Sequence, residues 1–529
     1  MRYRTEGSRA RAGRARLSLP GARYVRVGGK GALVALPFVI VTGWATWHLL
    51  ELTVWRDGTD PGLGVVWLVS FLLLWWLPMC WLERPATVTE SERPGVDGLR
   101  VTVQIPVYNE DPQALRACLE SVLGQSRRVQ RVRVVDDGSV DGATGAPLLY
   151  EAERALLLRE AGRLGIEATW DRTPNRGKRW AQMHVLHEDD ADVFVTLDSD
   201  SVLDEHAVAE GLKPFADPRV KSVAGLVVPL NVKTNLLTRL TAVLYIPFTR
   251  GLRSAQSVLG SVLINSGTLA FYRAEVVRKH AGVYERESFR GVPMQMNDDS
   301  MLTMYARLEG RTVHQPSAVC FTLVPDRPRH YFRQQLRWMR GTTVRHLWWL
   351  RHMPVRSLAF WMPVVEYAHL VLALLVPVTV LFTPHLREQT GSLAWYTLIL
   401  GCAMNYLVSL RLFAVRRTDE TLGHQVLMFV LSPAAGLWRL IVLRPLYLYA
   451  MATCWRIGDG APAPLSRCAW LPRRGSGGPA RFPVCAGAGR GRPVASFRAG
   501  RALVSQCGEL TAVHRDAGTV WKPSPMAAA

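Results

Sequence analysis

Apolar positions follow two different periods along this chain, and the change of period divides it. Ala32–Leu52 and Leu63–Leu82 are nearly unbroken apolar stretches on either side of a short Trp55–Gly62 loop. Each is close to the ~20 residues a helix needs to cross a bilayer. Trp55 and Trp81 stand near the ends, where interfacial side chains sit. The first stretch is too long for the apolar region of a cleaved leader, and a second follows it directly. Leu358–Phe382 and Leu393–Val415 repeat the pattern late in the chain. After them Gln425–Leu443 is interrupted by Pro433 and Arg439, Arg444-Pro445 breaks it, and Leu446–Trp455 is too short to cross upright. This last pair predicts one span and a short return or interfacial helix, with Arg439 either facing a watery passage or snorkelling from an end.

Between the apolar ends, strand and helix patterns alternate. Leu99–Pro106, Arg131–Val135, Ile166–Trp170 and the run leading from Asp192 to Leu197 read as strands; Pro112–Gln125, Glu151–Arg163, Arg179–His187 and Met301–Leu308 read as helices. Such alternation predicts a mostly parallel sheet with helices on both faces. The predicted divisions are a basic arm (1–31), a transmembrane hairpin (32–82), a soluble α/β domain (95–326), an interfacial segment (327–357), a C-terminal membrane region (358–457) and a tail (458–529).

Charge orients this arrangement. The chain is 49% apolar yet carries a formal charge of +21. Arg2, Arg4, Arg9, Arg11, Arg14, Arg16, Arg23, Arg26 and Lys30 face a single Glu6 before the first stretch. Cationic flanks stay cytosolic, which places the arm, the soluble domain and the Arg416–Glu420 loop on the cytosolic side of the plasma membrane. Arg327–Arg356 is dense in Arg, His and Trp, a composition suited to the membrane interface. The charge alone would suit a nucleic-acid binder, but no zinc spacing, RNP motif or basic heptad accompanies it, so no nucleic-acid partner is expected. Eight scattered cysteines with no Cys-x-x-Cys pair fit a reducing or lipid setting.

Candidate chemistry gathers where strands end. Asp198 and Asp200 close the central strand one residue apart and share a side of an extended backbone. Two such carboxylates suit a hard divalent cation that bridges diphosphate oxygens, although a solvated turn has the same composition. Tyr108-Asn109-Glu110 and Asp136-Asp137-Gly138 end two other strands, and open α/β sheets bind ligands at that edge. Asn297-Asp298-Asp299-Ser300 precedes a helix; its acids suit either an N-cap or a general base whose pKa a like charge raises. Asn175–Arg179 reads as a cationic loop opening a helix. Gln334, Arg337 and Trp338 fall at i, i+3 and i+4, hence on one helix face.

Ile105-Pro106-Val107-Tyr108-Asn109-Glu110, Asp136-Asp137-Gly138-Ser139, Gly177-Lys178-Arg179, Asp198-Ser199-Asp200 and Gln334-Gln335-Leu336-Arg337-Trp338 occur in that order. Together they resemble the family-2 membrane glycosyltransferases, the processive synthases of hyaluronan, chitin and cellulose, over about residues 30–458. The resemblance implies a GT-A-type nucleotide-sugar domain inserted between N- and C-terminal transmembrane helices. It implies Tyr108 stacked on a pyrimidine base, Asp136 or Asp137 accepting its N–H, and Lys178 near the donor diphosphate or uridine. Asp200, assisted by Asp198, would hold Mg²⁺ or Mn²⁺. Asp299 would be the base that deprotonates the acceptor hydroxyl, with Asp298 beside it. Ser266 and Gly267 would lie along the acceptor sugar, Gln334 and Arg337 near the diphosphate, and Trp338 under a pyranose. Many hyaluronan-type members have Gly where Asn297 stands.

The implied activity is inverting polymerisation of UDP-sugars (UDP-GlcNAc with UDP-GlcA, or UDP-Glc) into an extracellular polysaccharide, of hyaluronan-synthase type. A chitin or glucan synthase, a non-processive transferase to a lipid phosphate, and a degenerate nucleotide-binding scaffold are the alternatives. After about Gly458 the sequence turns rich in Gly, Ala, Arg and Pro, the composition of a disordered tail. Hyaluronan-type synthases carry Trp-Gly-Thr after the last membrane helix. Here Asp459-Gly460-Ala461-Pro462 can be encoded as GAT GGG GCA CCN, whose neighbouring frame reads Trp-Gly-Thr. The reading this suggests is a frameshift that replaced the native end.

Overall fold

The computed structural model describes residues 21–25, 29–55, 61–141, 144–186, 189–294 and 296–456. Most of the expected arm (1–20) and the tail (457–529) lie outside the described residues, so the frameshift reading falls there too.

Eight strands form one sheet: β1 (Val101–Val107), β2 (Arg131–Asp136), β3 (Glu167–Arg172), β4 (Val193–Leu197), β5 (Ser201–Leu203), β6 (Val220–Pro229), β7 (Leu269–Arg273) and β8 (Arg311–Thr322). Their order is β3-β2-β1-β4-β7-β6-β8-β5. The β3-β2-β1-β4 half and the β6–β8 pair are parallel, while β7 runs antiparallel between β4 and β6 and β5 antiparallel on β8. Alternation along the strands sorts their side chains into two cores. Val101, Val103, Ile105, Val107, Val193, Val195 and Leu197 pack on one face with Leu115, Leu119 and Leu157. Phe194, Ala270 and Tyr272 pack on the other with Met183, Tyr284, Met301 and Met304. Both faces are therefore covered, as the alternating pattern predicts.

The parallel half presents the C-terminal ends of β1, β2 and β4 along one edge. Asn109 and Ser139 lace the first two together: Asn109 N–H donates to Ser139 Oγ (2.9 Å), and Val140 N–H donates to Asn109 Oδ1 (2.7 Å). Asn109 holds φ at +50° to do this, a left-handed position that Asn tolerates better than most residues. Asp111 then caps Pro112–Leu123, accepting from the N–H groups of Gln113 and Ala114.

Among the described residues three helices are long and apolar enough to cross a membrane: Leu33–Trp55, Leu358–Phe382 and Thr390–Ala414. Leu422–Val430 with Ser432–Ala452, bent by 43°, would add a fourth. The expected second span, Leu63–Leu82, is not among them: Trp67–Leu82 is apolar but shorter, and its regular hydrogen bonding is interrupted. A turn at Leu74–Trp75 separates Pro61–Leu73 from Trp76–Met79. Pro78 explains the break, because it has no N–H for the Leu74 carbonyl and its ring clashes with that carbonyl in a continuous helix; Leu77 N–H takes the Leu74 oxygen instead, at 2.9 Å.

The sequence pattern also gave no sign of a clasp between Ala22–Tyr24 and Val415–Arg417, which pair antiparallel. Ala22 N–H donates to Asp204 Oδ2 just after β5 (2.8 Å), so residue 22 lies against the sheet domain. Glu83 also lies there, bound to His314 of β8 (2.7 Å) and to Arg411 (2.8 Å). The chain thus leaves the sheet domain and returns to it between Tyr24 and Glu83. It does so again between Ala359, which packs in the second core, and Val415.

Candidate active site

The ammonium of Lys178 joins two of the predicted motifs. It stands 2.7 Å from Asp198 Oδ1 at the end of β4 and 3.1 Å from Asp298 Oδ2 at the start of the helix Asp298–Glu309. Burial works against its charge, but Asp198 and Asp298 outweigh that and hold the ammonium well above the usual lysine range. Burial opposes the charge of Asp298 as well, and Lys178 and Arg179 outweigh it, so this carboxylate stays ionised. Asp137 positions the lysine: its two oxygens accept from the N–H groups of Arg176 (2.9 Å) and Gly177 (2.8 Å), the residues just before it.

Asp299 sits beside this knot with a different environment. Its Oδ1 accepts from Ser300 N–H (2.7 Å) and its Oδ2 from Gly267 N–H (3.2 Å). Burial, and next the charge of Asp298, push its carboxyl up to about 6. A base that titrates just below neutral pH is well matched to proton abstraction near pH 7. Gly267 is required by close approach, since a Cβ there would lie 2.9 Å from Lys178 Nζ and 3.6 Å from Asp198 Oδ1. Ser266 Oγ accepts from Arg253 Nη2 (2.8 Å), a guanidinium buried beneath the loop. Asn297 adopts φ 52°, ψ 42°. That left-handed conformation is one that Asn adopts at less cost than most side-chain-bearing residues.

The acid pair at the end of β4 has a third neighbour, Glu110 of the Tyr108-Asn109-Glu110 strand end, to which the sequence assigns no role of its own. Glu110 is buried and accepts from Ser199 Oγ (2.8 Å), so it abuts the turn between Asp198 and Asp200. Burial pushes Glu110 up to about 7, and burial together with the charges of Glu110 and Asp198 pushes Asp200 well above the carboxylate range. This is a local excess of negative charge that a cation would relieve. Among the described residues no three His, Cys, Asp or Glu side chains converge on one metal position. Two carboxylates without a closed cage suit Mg²⁺ or Mn²⁺ when diphosphate and water complete the shell, so Asp198 and Asp200 fit such an ion.

At the base-binding end, Tyr108 is half-buried beside β1. Asp136 also braces the turn: it accepts from Ser139 N–H (2.9 Å) and from Arg172, which also bonds the carbonyls of Leu148 and Ser139. Asp136 thus holds the Ser139 turn and Asp137 the lysine loop, and each carboxylate keeps acceptor capacity beyond these bonds. Gln334, Arg337 and Trp338 lie on the helix Pro328–His352. Trp338 is 36% exposed, and the Gln334 carbonyl oxygen is buried with no hydrogen-bond partner among the described residues. The helix reaches the knot through Asn297, whose Nδ2 is 3.5 Å from Thr342 Oγ1 and whose side chain fills the notch at Gly341.

The shifted carboxyl gives a pH prediction. A base must be deprotonated, so kcat/KM for the donor should fall tenfold per pH unit below about 6 and level off above it. In Asp298→Asn, loss of the neighbouring negative charge should move that limb to lower pH. Initial-rate profiles for both proteins check it.

The model of Glycosyl transferase family 2 matches residues 102–281, and that of Glycosyl transferase family group 2 matches residues 193–442. A hyaluronan synthase from Streptococcus pyogenes serotype M1 is 32% identical over 428 residues, covering 80% of this chain and 95% of that protein. An N-acetylglucosaminyltransferase from Azorhizobium caulinodans is 34% identical over 247 residues, 46% of this chain and 59% of that one. Among solved structures, a mannosyltransferase from Pyrobaculum calidifontis in complex with GDP-Man and Mn²⁺ aligns at 18% identity, covering 78% of this chain and 97% of that chain with a TM-score of 0.42.

Proposed function

The chain belongs to glycosyl transferase family 2 as a polysaccharide-synthesising, membrane-associated enzyme related to the hyaluronan synthases, and we propose that it polymerises UDP-GlcNAc and UDP-GlcA into hyaluronan from the cytosolic face of the plasma membrane. The observation that carries the site assignment is the meeting of Lys178 with Asp198 and Asp298 beside Asp299. The donor diphosphate takes Lys178 and Arg337, its base lies against Tyr108 within walls built by Asp136 and Asp137, and the acceptor lies along Ser266 and Gly267 with Trp338 under a sugar ring. Asp299 removes the proton of the acceptor hydroxyl. The oxygen attacks the anomeric carbon, the bond from that carbon to the diphosphate breaks, and UDP departs with its electron pair. Direct displacement inverts the anomeric centre. Mg²⁺ or Mn²⁺ on Asp198 and Asp200 supplies neutralisation of the leaving diphosphate when bound. The polymer then passes outward through the membrane helices.

A second reading, a chitin-type product from UDP-GlcNAc alone, is favoured by the similarity to an N-acetylglucosaminyltransferase. Membranes carrying the protein should be offered UDP-GlcNAc, UDP-GlcA and UDP-Glc singly and in pairs, with the product sized and digested by linkage-specific hydrolases. Long polymer only from UDP-GlcNAc with UDP-GlcA, cleaved by a hyaluronan lyase, is the expected result. Polymer from UDP-GlcNAc alone, cleaved by chitinase, would establish the second reading. A single sugar added to a lipid phosphate would exclude both.

A further inference from the structure

Glu287 belongs to none of the motifs, yet it touches two of the elements that build the site and reaches a third through Arg179. It follows the helix Ala274–Glu285 and is nearly enclosed, with its side chain 10% exposed. One of its oxygens pairs with Arg179, the residue after Lys178. Arg345 grips the same carboxylate with both terminal nitrogens: Nη1 pairs with Oε1, and Nη2 donates to Oε2 at 3.0 Å. Arg345 lies two turns beyond Trp338 on the helix Pro328–His352 and is itself buried. Arg179 closes the third side, because its Nη2 donates to the Met296 carbonyl (3.1 Å), two residues before Asp298. One carboxylate thus ties the donor lysine, the base-bearing helix start and the helix of Gln334, Arg337 and Trp338.

We propose that Glu287 is a positioning residue for glycosyl transfer, holding the donor side and the acceptor side of the site at their working separation through Arg179 and Arg345. This rests on the glycosyltransferase roles assigned above. Two guanidiniums converging on one buried carboxylate form a strong, directional joint, because both partners are charged and one contact is two-pronged. A small displacement between reacting groups costs rate far out of proportion to its size. Lys178, Asp198 and Asp200 do not touch Glu287, so donor binding should survive its loss better than turnover does.

The test uses the full chain in lipid nanodiscs. Glu287→Gln leaves two buried guanidiniums without a counter-charge and can fail to fold, so the paired variant Glu287→Met with Arg345→Met carries the decision. It removes the joint and fills the space, a replacement that buried ion pairs often tolerate, while Arg179 keeps the Met296 carbonyl and the nearby charge of Asp298. The expected result is a folded protein with donor KM within about threefold of wild type, kcat lowered about tenfold or more, and shorter polymer. Glu287→Asp keeps the charge and should recover most of the rate. Wild-type kcat per folded molecule and unchanged polymer length in the paired variant would overturn the proposal. Asp299→Asn is assayed alongside: if it remains active, the site reading fails, whereas an inactive Asp299→Asn beside an unaffected paired variant sinks the Glu287 proposal alone.

Discussion

Asp299→Asn should abolish polymer synthesis while leaving UDP affinity within about threefold of wild type, with a loss of turnover on the order of 10³-fold, inside the range for removal of a general base. The substitution is nearly isosteric, so the loss will reflect chemistry. It removes the group that takes the proton and also misorients what replaces it. In the wild type both carboxylate oxygens accept, one from Ser300 N–H and one from Gly267 N–H. An amide accepts at its oxygen only, so its NH₂ must face one of those two donors. The Gly267 contact is the longer at 3.2 Å and will be the one given up, which loosens the loop beside the acceptor. Lys178 keeps Asp198 and Asp298, so the donor side is undisturbed. Single-turnover rates and UDP titrations, with thermal melting to verify folding, check this. Turnover within tenfold of wild type would remove Asp299 from the role of base.

Much of this site was legible because its motifs are local. An apolar strand followed by Asp198-Ser199-Asp200, or two acids opening the helix Asp298–Glu309, carries its geometry in a few consecutive residues. The alternation of strand and helix gave the parallel half of the sheet for the same reason. What could not be read depends on residues far apart in the chain. Glu110 lies 89 positions from Ser199 and becomes part of the acid cluster only when β1 and β4 pair. Glu287 meets Arg179 from 108 positions away. Asp136 and Asp137 stand at a strand end as their motif predicts, but a turn motif gives no hint that they also bind Arg172 and the Arg176–Gly177 backbone. The broken second apolar stretch had a local signal, Pro78, which composition counts over a 20-residue window smooth away.

Asp200→Ala should move stability and function in opposite directions. Without a cation, loss of solvent first, and then crowding by the charges of Glu110 and Asp198, forces the Asp200 carboxyl toward the protonated form. Removing it relieves that crowding, so the metal-free variant should melt at or above the wild-type temperature. The same change leaves Asp198 as the one carboxylate of the pair, and Asp198 is already engaged by Lys178 at 2.7 Å. UDP affinity in the wild type should therefore rise on adding Mn²⁺, whereas the variant should show no such gain and lose about a hundredfold or more in kcat/KM, as expected when neutralisation of the leaving group is withdrawn. Because the carboxyls shed protons to receive a cation, Mn²⁺ affinity of the wild type should also increase with pH. Calorimetric titration of UDP with and without Mn²⁺, beside melting curves in chelator, separates the two effects. Equal Mn²⁺-dependent gains in UDP affinity for both proteins would move the cation site elsewhere, and a metal-free variant that melts well below wild type would show that Asp200 is a structural partner in its cluster and not a strained one.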